Sequence, residues 1–236
     1  MSIAENIALV RENIDAAARE SGRNGRDITL VGASNMNDAA ACREAVAAGI
    51  DALGENRVQE MRQKLSEHAY DGAPLHFIGH LQRNKVRQVV GTVDLIQSAG
   101  SEALLLDIDK AAAALNIVQP VLLEVNIGME AAKSGFMPSE LFAAAEKALT
   151  LPHVSVCGVM AIPPFDASRD ETLRYFAETR SLYVDSRDKL FHNGPMELSM
   201  GMSGDYADAV RAGATMVRVG TAIFGARHYD TGGAIT

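Results

Sequence analysis

Apolar residues at Ile3, Ile7, Val10, Ile14, Ala17 and Ala18 recur with the helical period, which predicts a helix over about residues 3–21, closed by Gly22 and Gly25. A short apolar run follows at 28–34 (ITLVGAS), then Asp38 and a second helical pattern that stops at Gly49. The beat then repeats. Strand-like runs at 51–55, 75–79, 93–98, 119–127, 154–162, 197–201 and 215–220 each precede a segment read as helical. Those segments are 56–68, 82–90, 101–115, 139–149, 168–189, 205–213 and 221–227. Several of the strands are apolar on successive residues rather than alternating, as expected of strands covered on both faces.

Strands that alternate with helices pair in parallel through right-handed crossovers. The expectation is a (β/α)₈ TIM barrel of α/β class, one domain over residues 1–236 with an extra helix ahead of the first strand. A doubly wound open sheet is the alternative. No Pro/Gly/Ser-rich linker or change of composition marks a second domain, and the last residues, about 230–236 (DTGGAIT from Asp230), are expected to fray.

Composition narrows the function classes. At 47% hydrophobic and 22% charged residues the chain reads as globular rather than disordered, and a net charge of −8 argues against a nucleic-acid-binding face. Cys42 and Cys157 lack metal-ligand spacing and are expected to be buried, reduced thiols; no metal is predicted. The first residues lack the basic-then-apolar layout of a signal peptide, and no apolar stretch approaches the ~18 residues of a membrane span. A cytoplasmic protein without membrane contact is expected.

In such a barrel the chemistry sits at the carboxyl ends of the strands, and phosphate often binds the loops after strands seven and eight. Those loops read Ser199-Met200-Gly201-Met202-Ser203-Gly204-Asp205 and Arg218-Val219-Gly220-Thr221. Glycine admits close backbone approach, the hydroxyls donate, and helix starts point free N–H groups at an anion. Each loop taken alone also fits an ordinary N-cap or turn. Arg218 lies within an apolar strand, where a guanidinium needs a partner: an ion pair under the rim, or a ligand. Other strand ends are polar, at Ser34-Asn35, Glu55-Asn56, Gly79-His80, Glu124 and Asn126. His76 reads equally well as a hydrogen-bonded core histidine and as a functional one, and Lys85 and Lys133 read as solvated.

Several motifs together carry a family resemblance: Gly54-Glu55-Asn56 with Val58-Gln59-Glu60, His76-Phe77-Ile78-Gly79 with Leu81-Gln82 and Asn84-Lys85, Lys133-Ser134-Gly135, Gly158-Val159-Met160-Ala161-Ile162-Pro163, and the two loops above extended through Phe224-Gly225. In this order, over about residues 28–227, the chain resembles the pyridoxal 5′-phosphate (PLP) homeostasis proteins, which are similar to the N-terminal barrel of alanine racemase. The resemblance implies that Ser203, Gly220 and Thr221 hold the cofactor phosphate with backbone help from Met202. It also implies that Arg218 contacts the pyridine nitrogen and that Asn56 lies near the ring. An arginine there keeps the ring unprotonated and weakens it as an electron sink. The resemblance implies a protein that carries or buffers the cofactor without turnover, so no catalytic residue is expected. PLP-dependent enzymes are its candidate partners, and a monomer is expected rather than an oligomer.

One position departs from the family. Its Schiff-base lysine follows a serine at the end of strand one, where this chain has Ser34-Asn35. The amide nitrogen of Asn35 is delocalised into its carbonyl and cannot condense with an aldehyde. Binding would be non-covalent at residue 35, or limited to phosphate or sulfate. A racemase-like PLP enzyme, and a barrel for another phosphorylated metabolite, are the alternative functions.

Overall fold

The computed structural model describes residues 1–191, 194 and 196–225; the expected fraying over 230–236 lies outside the described residues. Eight parallel strands pair in sequence order, and β1 closes on β8: β1 (Thr29–Ala33), β2 (Ala52–Glu55), β3 (Leu75–Phe77), β4 (Leu95–Ala99), β5 (Gln119–Val125), β6 (Val154–Ala161), β7 (Glu197–Ser199) and β8 (Met216–Val219). The barrel is closed, so the open-sheet alternative falls.

The outer layer contains α1 (Ile3–Glu20), α2 (Ala39–Ala47), α3 (Val58–Ser66), α4 (Glu102–Leu115), α5 (Leu141–Ala148), α6 (Arg169–Leu190), α7 (Tyr206–Ala212) and the short α8 (Thr221–Phe224). Local chemistry explains where helices start. Ser2 with Glu5 and Ser168 with Glu171 form reciprocal capping boxes on α1 and α6, and Asp38 and Ser101 accept from the Ala41 and Leu104 N–H groups. The expected third crossover helix is instead a 3₁₀ helix over Arg83–Gln88. Val86 of it is buried, with Val89 and Val90 just beyond, but its first turn, Arg83-Asn84-Lys85, adds nothing to the core and Gly91 at a φ of +74° ends the segment, so it stays short.

The core has two parts. The larger lies between strands and helices and includes Ile14, Leu30, Leu53, Phe77, Ile108 and Phe176. A smaller cluster of Val31, Ala52, Leu95, Leu122, Met160 and Met216 fills the base of the lumen, one layer of the side chains that make a barrel interior solid. Register shifts between β5 and β6 at Val121/Leu122, opposite Gly158. Gly158 has a φ of +153°, and a Cβ there would sit 2.0 Å from the Glu197 carbonyl oxygen, so the approach of β6 to β7 requires glycine. Of the two cysteines, Cys42 is buried as expected, whereas Cys157 is only partly covered.

Candidate functional site

Above the apolar base, the lumen turns polar. Gln97 on β4 is the hub: its amide nitrogen lies 3.0 Å from His76 Nδ1 on β3, and its oxygen accepts from the Ser199 hydroxyl at 2.7 Å. Ser199 accepts in turn from an Arg218 guanidinium nitrogen, and a second Arg218 nitrogen donates to the Ala161 carbonyl at 3.1 Å. Burial pushes the His76 pKa down to about 4, against a smaller opposing pull from Asp94, so the imidazole is neutral at pH 7. This is the hydrogen-bonded core histidine, one of its two readings.

Arg218 is 1% exposed and forms no ion pair among the described residues. Burial pushes its pKa down to about 10, offset in part by Asp205 and Glu124 at longer range, and it stays charged at neutral pH. The guanidinium has five N–H donors and meets two acceptors, Ser199 and the Ala161 carbonyl, among the described residues. Among the described residues, then, Arg218 has no ion pair under the rim, one of the two partners expected for it. Burial also raises the Glu124 carboxyl, with the Ser134 hydroxyl, His80 and Arg218 opposing, and raises the Asp205 carboxyl.

The two phosphate-type loops meet. Ser203 Oγ accepts from the Gly220 N–H at 3.1 Å and from the Ala222 N–H at 3.3 Å. A Cβ at Gly220 would come within 3.2 Å of the Ala33 carbonyl oxygen at the end of β1. Thr221 is exposed at the start of α8. The Met202 N–H is already committed to Asp205 Oδ1 at 2.6 Å, so it can reach an anion only if Asp205 turns away.

At the ends of β1 and β2 side chains alternate in direction. Ser34 and Glu55 point into the helix layer, where Glu55 Oε1 accepts from Ser34 Oγ at 2.6 Å, Lys64 Nζ at 2.7 Å and Tyr70 Oη at 3.1 Å. Lys64 also donates to the Ser34 carbonyl at 2.8 Å. The residues that follow, Asn35 and Asn56, leave at the mouth. Asn35 is buried and Asn56 half-buried, and neither side chain has a hydrogen-bond partner among the described residues. Strands β7, β8, β1 and β2 are consecutive around the barrel, so Ser203, Arg218, Gly220, Thr221, Asn35 and Asn56 occupy one arc of one rim.

Sequence reasoning missed Lys64, Tyr70 and Gln97. A signal existed for Lys64, which continues the buried Val58 and Met61 stripe of α3 at three-residue spacing. Lys133 is paired with Glu130 at 2.5 Å on the loop after β5, half-exposed. Among the described residues no group of three or more His, Cys, Asp or Glu side chains could hold a metal, and no helix is long and apolar enough to cross a membrane.

Comparison with known proteins places this geometry. Residues 6–228 match the family described as alanine racemase, N-terminal domain. The pyridoxal phosphate homeostasis protein of Aquifex aeolicus is 40% identical over 229 residues, covering 97% of this chain and 100% of that protein. PipY of Synechococcus elongatus, solved with PLP bound, superposes with a TM-score of 0.82 at 34% identity over 95% of this chain and 100% of that one. An alanine racemase of Clostridium difficile shares the fold alone, with a TM-score of 0.73 at 19% identity; the match covers 97% of this chain and 58% of the racemase. By sequence along its length and by its closed barrel, this chain belongs to the pyridoxal phosphate homeostasis protein family, built on the alanine racemase N-terminal domain.

Proposed function

We propose that this chain binds pyridoxal 5′-phosphate without a covalent bond at residue 35 and holds or buffers it without turnover. The observation that carries the reading is Arg218, a buried guanidinium without a carboxylate partner, in the same arc as the Ser203–Gly220 loops. The groups fit the cofactor in kind. Backbone N–H groups at Gly220 and Ala222, with the Ser203 and Thr221 hydroxyls, suit a phosphate. The Arg218 guanidinium suits the pyridine nitrogen, and the free amide of Asn56 suits the ring's polar edge. The name carried by the Aquifex relative and the ligand in the PipY structure favour the same cofactor.

When bound, the cofactor supplies an aldehyde and an electron-withdrawing ring. What this chain's residues do with them is limited. Arg218, charged at neutral pH, has no proton to give the ring nitrogen without losing its own charge, so the ring is not made into a strong electron sink. Asn35 holds no nucleophilic amine. His76 is neutral and engaged with Gln97 beneath the mouth, leaving no poised acid there. These features favour a carrier over a racemase, acting as a monomer in the cytoplasm, with PLP-dependent enzymes as recipients.

The test is a titration of the purified chain with pyridoxal 5′-phosphate and with unphosphorylated pyridoxal, followed by borohydride reduction and peptide mapping. The reading expects saturable, dialysable binding of the phosphorylated form, no label on residue 35, and no exchange of the alanine α-proton. Equal binding of both forms, or α-proton exchange at catalytic protein concentrations, defeats it.

A further inference from the structure

Beside the arc described above, a cavity of about 280 Å³ opens between the β2–α3 and β3–3₁₀ connections. Arg57, His80 and Lys85 line it together with the amides of Asn56, Gln59 and Gln82, and buried Phe77 forms its apolar floor. None of its lining residues is a carboxylate. That is unusual in a chain with 30 acidic against 22 basic residues. Among the described residues Lys85 forms no ion pair, and the side chains of Asn56, Gln59, His80 and Gln82 have no hydrogen-bond partner. Arg57 touches only Glu60, at 3.4 Å and largely in solvent. Asp107 is engaged by Arg83 next to Gln82, and the Glu124 carboxyl feels His80 at longer range.

The backbone adds to this field. Arg57 is the N-cap of the nine-residue α3 and makes no side-chain cap bond. The first N–H paired inside the helix is that of Met61, to the Arg57 carbonyl. The N–H groups of Val58 and Gln59 therefore sit at the cavity wall with the positive end of the helix dipole behind them.

We propose that this cavity is a second binding site, for a small carboxylate- or phosphate-bearing metabolite that carries no ammonium group. Arg57 and Lys85, three amide side chains and the free start of α3 line it without a lining carboxylate, which selects an anion. An α-amino acid brings an ammonium as well, and the cavity has no carboxylate to receive it. The volume lies just below the usual range of ligand sites, which suits a metabolite of a few carbons. The site is independent of the cofactor reading: it uses none of Ser203, Arg218, Gly220 or Thr221, and shares only Asn56 with it.

The full chain is titrated in parallel with 2-oxoglutarate, inorganic phosphate and L-alanine, following the backbone amide resonances of residues 56–60 and 82–85. One or both anions shift these amides saturably below about 10 mM, and the one that does names the source of the oxyanion; L-alanine does not. Lys85→Ala and Arg57→Ala each weaken binding by about five-fold or more, the loss of one charge-assisted contact near the surface. Ser203→Ala leaves it unchanged. Shifts confined to residues 203 and 220–222, or shifts at the cavity that survive Lys85→Ala and Arg57→Ala together, overturn the site. So does L-alanine binding as well as 2-oxoglutarate. Each substituted residue is partly or fully exposed, and the unchanged spectrum of the remaining amides reports that the variants fold.

Discussion

Lys64 Nζ donates to the Ser34 carbonyl across 30 residues of sequence, at 2.8 Å, while the same ammonium pairs with buried Glu55. The contact ties the peptide that leads into Asn35 to the carboxylate that precedes Asn56. Two outward-facing neighbours are locked together, and the two inward-leaving amides are thereby set side by side at the mouth.

This pair is expected to be costly to break and cheap to replace. Lys64→Met alone leaves buried Glu55 without its cationic partner, and should destabilise by about 3–5 kcal/mol. Adding Glu55→Gln should recover much of that loss. Urea unfolding of both variants checks it; a double variant no more stable than the single one would mean that packing, not the orphaned charge, sets the cost.

Stability should fall in mild acid through His76. Its folded pKa, about 4, lies below the ordinary 6.5, so the unfolded chain binds more protons between these values. The contribution is intact above pH 6.5, is lost as pH falls toward 4, and levels off below that. A 2.5-unit gap corresponds to roughly 3 kcal/mol as an upper bound. The slope of unfolding free energy against pH between 4 and 6.5 should flatten in His76→Gln, and an unchanged slope would remove His76 as its cause.

Arg218→Met should trade function for stability. Removing a buried, unpaired guanidinium and filling the lumen with a side chain of similar length should leave stability equal or raise it by about 1–3 kcal/mol. Binding of pyridoxal 5′-phosphate should weaken at least ten-fold, as for a lost charge-assisted contact. Thermal unfolding and a cofactor titration read the two effects separately, and a marked loss of stability would show that the lumen network depends on the charge.

Asn35→Lys should acquire covalent attachment. A lysine at this position enters a partly dehydrated mouth near Arg218, and both conditions favour its neutral, nucleophilic form. Borohydride reduction and peptide mass should then find the pyridoxyl group on residue 35 of the variant and not on Asn35. A folded variant that binds the cofactor yet carries no label there would place the end of β1 out of reach of the aldehyde.

Much of the barrel was legible from the chain because several strands are short apolar runs that alternate with helical patterns, and the expected site residues lie on motifs that read in order. What escaped has physical reasons. The segment from Arg83 to Gln88 carries a helix-like sequence with Val86, Val89 and Val90 buried, yet its first turn is polar and Gly91 turns the chain at once, so only a 3₁₀ stretch forms. Lys64 and Gln97 are polar residues whose burial depends on partners distant in sequence, Glu55 with Ser34 and His76 with Ser199. Periodicity marks such positions as core but cannot supply the partner. The engagement of the Met202 N–H by Asp205 likewise depends on a turn geometry that the residue types allow without requiring.

Because Ser203 Oγ already receives the Gly220 and Ala222 N–H groups, an arriving anion competes with an internal hydroxyl and not with bulk water. The loops have no unmet donors at those two positions to drive indiscriminate capture. A neutral oxygen merely exchanges one acceptor for another, whereas a dianion adds the charge that the hydroxyl lacks. In this structure the hydroxyl holds both N–H groups, so neither lacks an acceptor when no anion is present. Such an arrangement favours the phosphorylated form of a ligand over one that offers only a neutral oxygen.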